Sequence, residues 1–141
     1  MTLLLIRHAS AGDRNAWVGD DRLRPLDERG QRQAAALVAA LAPYAVTAVL
    51  TSPYLRCLET VLPLAAAHDL RHEQREELAE SSGDAVLDIL MTLEHGTALC
   101  THGDVVETLV GAGRAKKKGS VWLLELRDGA VEPVTYLPPP A

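Results

Sequence analysis

The chain has 141 residues, of which 48% are hydrophobic and 23% charged, so it can bury a core and is not disordered by composition. Its 14 basic and 19 acidic residues give a formal net charge of -5, which argues against a general binder of nucleic acid or of a membrane surface. The apolar run Leu3–Ile6 is far shorter than the ~20 residues that span a bilayer. We therefore expect a single cytoplasmic domain, residues 1–141, in which Cys57 and Cys100 are buried thiols.

The first half of the chain alternates apolar strand patterns with helical ones. Residues 2–6 are a continuous apolar run, which predicts a strand covered on both faces, and a polar loop follows it. Apolar residues recur at helical spacing over 28–41, and residues 46–51 predict a second buried strand. Ser52 as N-cap and Pro53 at the first helical position then predict the start of another helix.

The second half predicts a helix, a strand, a helix and two hairpin strands, over residues 84–93, 97–101, 103–112, 120–126 and 131–136. Asp128-Gly129 is a strong hairpin turn signal between the last two strands. Because the first three strands alternate with helices, the centre of the sheet should be parallel. The fold class is thus α/β, with a mostly parallel central sheet flanked by helices and extended by a C-terminal hairpin.

Charged and imidazole side chains follow all three predicted parallel strands. Arg7 and His8 end the first, Arg56 lies on the first helical turn after the second, and His102 follows the third. Ligands of open α/β sheets bind at the carboxyl ends of the strands, so these side chains should converge. An arginine guanidinium can donate two parallel hydrogen bonds to phosphate oxygens, and a neutral imidazole can attack phosphorus. The set therefore predicts phosphoryl transfer that needs neither a metal nor another cofactor, since side chains supply the positive charge.

At these positions the sequence resembles the histidine phosphatase superfamily, which has the phosphoglycerate-mutase-like fold. Arg7-His8-Ala9 is similar to its Arg-His-Gly signature, with Ala in place of the usual Gly. The segment 52–60 matches Ser-Pro-x-x-Arg-x-x-x-Thr, and Thr-His-Gly-Asp at 101–104 matches the second histidine motif. The likeness is to the small, phosphohistidine-phosphatase-like branch.

The resemblance implies a role for each of these side chains. His8 would be the phosphorylated nucleophile, and Arg7 and Arg56 would clamp the phosphate. His102 would bind and stabilise the transferring phosphoryl group.

Two further residues have open interpretations. Leu-Ala-Glu80 resembles the element that carries the proton donor in many family members, although other glutamates crowd the segment and leave a solvated acidic stretch as the alternative. Arg14 lies near the place where mutase-like members keep an Asn. It is either a third contact to the substrate phosphate or an ordinary loop residue.

The sequence thus predicts a phosphatase that acts on a phosphorylated small molecule or a phosphoprotein. A non-catalytic module that binds phosphorylated ligands, or a mutase, are the alternatives. The segment 17–25 and the Arg56-Cys57 pair also resemble the phosphatase domain fused to Nudix hydrolases in some actinobacteria, which leaves a nucleotide-related substrate open. The run Lys116-Lys117-Lys118 is interpreted as a solvated turn or as an attraction site for an acidic partner.

Overall fold

A computed structural model describes all residues, 1–141. The strands are β1 (Thr2–Arg7), β2 (Ala48–Thr51), β3 (His72–Gln74), β4 (Thr97–Thr101), β5 (Val121–Arg127) and β6 (Ala130–Leu137). The helices are α1 (Glu28–Ala40), α2 (Leu55–Ala67), α3 (Leu87–Leu90) and α4 (Gly103–Val110), with short 3-10 turns at Arg14–Ala16, Asp21–Leu23 and Glu76–Leu78. None of these helices combines the length and the apolar character that crossing a bilayer requires.

The six strands form one sheet in the order β3-β2-β4-β1-β5-β6. The first four in this order are parallel, whereas β5 pairs with β1 and β6 pairs with β5 in antiparallel fashion. The predicted parallel centre with a C-terminal hairpin is therefore confirmed. In the register, Arg7 lies beside Thr101 and Thr51 lies beside Cys100, so β1, β2 and β4 end together at one edge of the sheet.

Both faces of the sheet centre are covered, which is why β1 is a continuous apolar run. Successive side chains of a strand point to opposite faces. Accordingly, Leu3 and Leu5 pack into the hydrophobic cluster formed with α3 and α4. Leu4 and Ile6 pack into the opposite cluster, formed with α1 and α2. The buried strands thereby hold the polar strand ends in fixed positions.

Two local expectations are wrong, and one strand was not predicted. α2 begins at Leu55, so Ser52 is not its N-cap; the Ser52 hydroxyl accepts from the Tyr54 N–H at 3.2 Å and lies 2.8 Å from a ring nitrogen of His102. Only Leu87–Leu90 of the segment 84–93 is α-helical, because turns flank these four residues. The strand β3 was not expected, since its three residues are exposed and show no apolar pattern.

Candidate active site

The two strand-end histidines face each other at the carboxyl edge of the sheet. His8 follows β1 and His102 follows β4, and their ring centroids lie 5.4 Å apart with an interplanar angle of 63°. The backbone N–H of His8 donates to the Thr101 carbonyl at 3.0 Å, which ties the two strand ends together. His8 is 4% exposed and His102 is 1% exposed. The sheet register thus places both imidazoles in one site that is almost inaccessible to solvent.

The hydrogen bond of His8 determines which of its ring nitrogens is free. Its Nδ1 lies 2.8 Å from the Ala9 carbonyl oxygen. A carbonyl can only accept, so Nδ1 carries the proton and the neutral ring has its lone pair on Nε2. Burial lowers the pKa of His8 well below its usual value, and the charges of His102, Arg56 and Arg7 lower it further, against the opposing effect of the Ala9 bond. His8 is therefore a neutral imidazole at neutral pH, as a nucleophile must be.

His102 is held through its Nε2, whereas His8 is held through its Nδ1. Its Nε2 lies 2.8 Å from Ser52 Oγ and 3.6 Å from Cys57 Sγ. The ring also packs edge-on against Tyr54, with centroids 4.6 Å apart. Its Nδ1 is buried and has no hydrogen-bond partner. Ser52 and Cys57 therefore anchor the ring while Nδ1 stays available to a ligand.

Both arginines are fixed by part of the guanidinium and keep another part free. Arg56 is fully buried and donates from Nη1 to the Asp21 carbonyl at 2.8 Å and from Nη2 to the Asp21 carboxylate at 3.1 Å. Arg7 donates from Nη1 to the Lys116 carbonyl at 2.6 Å. A Cβ at Gly103 would lie 3.0 Å from Arg7 Cζ, so a larger residue there would require the guanidinium to shift from the start of α4. These contacts orient both side chains before any ligand binds.

Three buried side-chain nitrogens lack a hydrogen-bond partner: Arg7 Nε, Arg56 Nε and His102 Nδ1. Each one comes from a different strand-end segment. The arginine nitrogens are N–H donors in every state, and Nδ1 of His102 is one when it carries a proton. An unsatisfied buried donor costs about 1–3 kcal/mol, so three of them together require an explanation. A bound oxyanion would accept from all three and balance the arginine charges.

Glu80 and Arg14 lie at the exposed border of this group. Glu80 Oε1 accepts from Arg14 Nη2 at 2.5 Å, and Oε2 lies 3.5 Å from Arg56 Nη2. The same carboxylate lies 4.0 Å from Nδ1 of His102. The side chain of Glu80 is 23% exposed and that of Arg14 is 57% exposed. The structure thus brings both residues to the site, although neither is part of its buried centre.

Asp21 is a site residue that sequence reasoning missed. Its carboxylate accepts from Arg24 Nε at 3.0 Å as well as from Arg56. Desolvation alone would raise the pKa of Asp21, but its hydrogen bonds and charge interactions with Arg24 and Arg56 hold that pKa below its usual value. Asp21 stands in a polar loop 35 residues before Arg56, so no local pattern pairs the two.

Comparison with known families and curated proteins supports the resemblance seen in the motifs. A family model described as histidine phosphatase superfamily (branch 1) matches residues 3–88. An 8-oxo-(d)GTP phosphatase of Mycolicibacterium smegmatis is 37% identical over 156 residues, covering 99% of this chain and 48% of that protein. The protein Rv0525 of Mycobacterium tuberculosis is 46% identical over 57 residues, covering 40% of this chain and 28% of that protein. The chain thus spans about half the length of the first relative. Its match to the second relative covers 28% of that protein.

Solved structures share the fold over almost the whole chain. The protein histidine phosphatase SixA, complexed with tungstate, has a TM-score of 0.80 at 18% identity and covers 99% of this chain and 97% of its own. The alpha-ribazole phosphatase of Shigella flexneri has a TM-score of 0.78 at 16% identity, and the match covers 100% of this chain and 98% of that chain. Because the family match takes in more than half of the residues, including both arginines and His8, the chain belongs to the histidine phosphatase superfamily.

Proposed function

We propose that the chain is a phosphatase that transfers a phosphoryl group from its substrate to His8 and then to water. Three unpartnered buried nitrogens, on the three residues whose charges act on the neutral imidazole of His8, are the observation that carries this proposal. Phosphoryl oxygens would accept from Arg7 Nε, Arg56 Nε and His102 Nδ1. Charge that develops on these oxygens during transfer then meets donors that are already in place.

In the first step the Nε2 lone pair of His8 forms a bond to phosphorus, and the bond from phosphorus to the leaving oxygen breaks. Glu80, which enters this step in its protonated form, supplies the proton that the leaving oxygen takes. In the second step a water oxygen attacks phosphorus, Glu80 takes the proton of that water, and the P–N bond breaks. Inorganic phosphate leaves and His8 returns to its neutral form, so no metal or organic cofactor is needed to balance the cycle.

The substrate we favour is a phosphorylated small molecule of the nucleotide class. The named activity of the Mycolicibacterium smegmatis relative supports this class, because that protein aligns with 99% of the chain. The position of Glu80 beside Arg56 also favours an oxygen leaving group, which gains more from a proton than an imidazole does. Protein phosphohistidine is the second candidate, supported by the likeness of the fold to SixA.

The decisive experiment is hydrolysis of p-nitrophenyl phosphate by the parent chain in the presence of a chelator. We expect sustained turnover and an acid-labile, base-stable phosphoenzyme, and we expect His8→Ala to abolish both. His72→Ala is the matched control, because His72 is an exposed residue of β3. Binding of phosphate without turnover would instead identify a phosphate-binding module, and turnover by His8→Ala near the parental rate would contradict the nucleophile.

A panel of nucleotides, other phosphate monoesters and a phosphohistidine protein then tests the substrate class. We expect the highest kcat/KM among the nucleotides. A preference for the phosphohistidine protein would overturn the nucleotide assignment while leaving the reaction type intact.

A further inference from the structure

A second polar groove of about 420 Å³ adjoins the chain segment that carries His8. Its lining contains no hydrophobic and no acidic residue, but it includes the three cations Arg29, Lys117 and Lys118. Ser10, Gln33 and Pro139 complete the lining, and Gln33 Nε2 donates to the Ala141 carbonyl at 3.2 Å. Such a concentration of positive charge is unexpected in a chain whose net charge is -5.

None of these three cations pairs with a carboxylate of the chain, as the full set of ion pairs involves other residues. Burial and nearby arginines lower the pKa of Lys118, and the charge of Asp27 opposes this lowering only in part. The Asp27 oxygens already accept from Gly30 N at 2.7 Å, Ser10 Oγ at 2.7 Å and Gly12 N at 3.0 Å. The three cations of the groove are therefore without an ion-pair partner within 4.0 Å.

The groove lies directly beside the nucleophile. Gly119, which follows Lys118, donates its N–H to the carbonyls of both Arg7 and His8, at 3.1 and 3.0 Å. On the other side, Ser10 lies two residues after His8 and donates its N–H to Gln33 Oε1 at 2.9 Å. Partial desolvation lowers the pKa of Lys118, and the positive charge of Arg7 lowers it further. Lys118 is thus close enough to Arg7 to interact with its charge, which places the groove near the proposed phosphate site.

We propose that this groove is a subsite for a second phosphate group of the substrate. The inference rests on the proposed function and narrows it to small molecules with two linked phosphates, in chemical class a nucleoside diphosphate. The terminal phosphorus bonds to His8, its bond to the bridging oxygen breaks, and that oxygen leaves with the nucleoside monophosphate after taking a proton from Glu80. Arg29, Lys117 and Lys118 hold the phosphate of this leaving group and balance the negative charge of its other oxygens.

The test compares guanosine diphosphate with guanosine monophosphate and p-nitrophenyl phosphate, which each carry only one phosphate. The double variant K117Q/K118Q should have a kcat/KM for the diphosphate about tenfold below the parental value. Arg29→Gln should lower the same kcat/KM about threefold. Hydrolysis of the two monophosphates should stay within about twofold of the parental value. Arg32→Gln is the matched control, because Arg32 is an exposed arginine of the same helix that does not line the groove.

Equal losses on all three substrates would overturn the subsite, since the cations would then act only through their general field. Unchanged hydrolysis of the diphosphate would overturn it as well. A loss confined to an acidic phosphopeptide would identify a protein segment as the occupant and would also contradict the proposal.

A binding measurement separates this inference from the proposed function. By titration calorimetry, pyrophosphate should bind more tightly than inorganic phosphate, and the double lysine variant should remove most of that difference. This readout needs no turnover, so it tests the groove even if hydrolysis of p-nitrophenyl phosphate fails. Equal binding of the two anions by the parent chain would overturn the subsite.

Discussion

The site has a buried floor, formed by His8, Arg56 and His102, and an exposed rim, formed by Arg14 and Glu80. The floor residues are at most 4% exposed and stand at strand ends whose register the sheet fixes. The rim residues come from loops, and the side chain of Arg14 is 57% exposed. The buried region can determine the reaction, whereas the exposed side chains of the rim can contact the group attached to the phosphate. Substitutions in the floor should therefore affect all substrates alike, and those in the rim should discriminate among them.

The largest effect should come from His8, the proposed nucleophile in the floor. We expect His8→Ala to reduce kcat by at least about a thousandfold on aryl and alkyl phosphates alike, because the proposed covalent intermediate forms on His8. Stopped assays with both substrate types measure the loss, and a thermal melt verifies that the variant is folded. A loss on only one substrate type would show that the floor does not act uniformly.

Arg56 provides the next largest effect. Arg56→Lys keeps the charge but loses the planar fork that bonds Asp21 through two nitrogens and leaves Nε free. We expect kcat to fall about a hundredfold for every substrate, as when one preorganised donor to a transition-state oxyanion is lost. Arg71→Lys is the control, because Arg71 is exposed and precedes β3. Parental kcat in Arg56→Lys would mean that Arg56 is structural only.

A smaller, selective effect is expected at the rim. Glu80→Gln should lower kcat/KM about tenfold or more for alkyl phosphates but only about twofold for aryl phosphates, whose leaving groups need less protonation. Glu76→Gln is the matched control, since Glu76 is an exposed acid of the same segment whose partner is Arg22. Equal losses on both substrate classes would place Glu80 with the floor and remove it from the acid role.

The contrast between floor and rim also explains what could be predicted from the sequence. Strand ends follow from local apolar runs such as Leu3–Ile6, and a parallel sheet then brings residues that are far apart in sequence to one edge. The convergence of His8, Arg56 and His102 was therefore predictable. Their chemical roles remain predictions that the experiments above must test.

Other features depend on contacts that no local pattern encodes. β3 is a three-residue edge strand with exposed side chains, and it exists because its backbone pairs with β2. A Ser before a Pro is typical of a helix N-cap, yet the ring of His102, 50 residues away, bonds the Ser52 hydroxyl instead. The ion pair of Asp21 with Arg56 joins two elements that only the folded chain brings together.

The smallest effect concerns stability and needs no substrate. The pKa of His8 in the folded chain lies well below the value near 6.5 of an unfolded chain. Between these two values the unfolded chain binds more protons, so the free energy of unfolding falls as the pH drops below about 6.5. Above about pH 6.5 His8 is neutral in both the folded and the unfolded chain, so it adds no pH dependence to the free energy of unfolding.

Thermal melts at about pH 7.5 and about pH 5.5 should therefore show a smaller acid-induced fall in Tm for His8→Asn than for the parent chain, because asparagine does not titrate. Other groups that titrate in acid, such as Asp21 and Asp27, are common to both chains, so the difference between the two falls isolates His8. His72→Asn, the same change at an exposed strand residue, should reproduce the parental fall. An equal fall in all three chains would mean that His8 is solvated in the folded chain. The burial that lowers its pKa and keeps it neutral would then be absent.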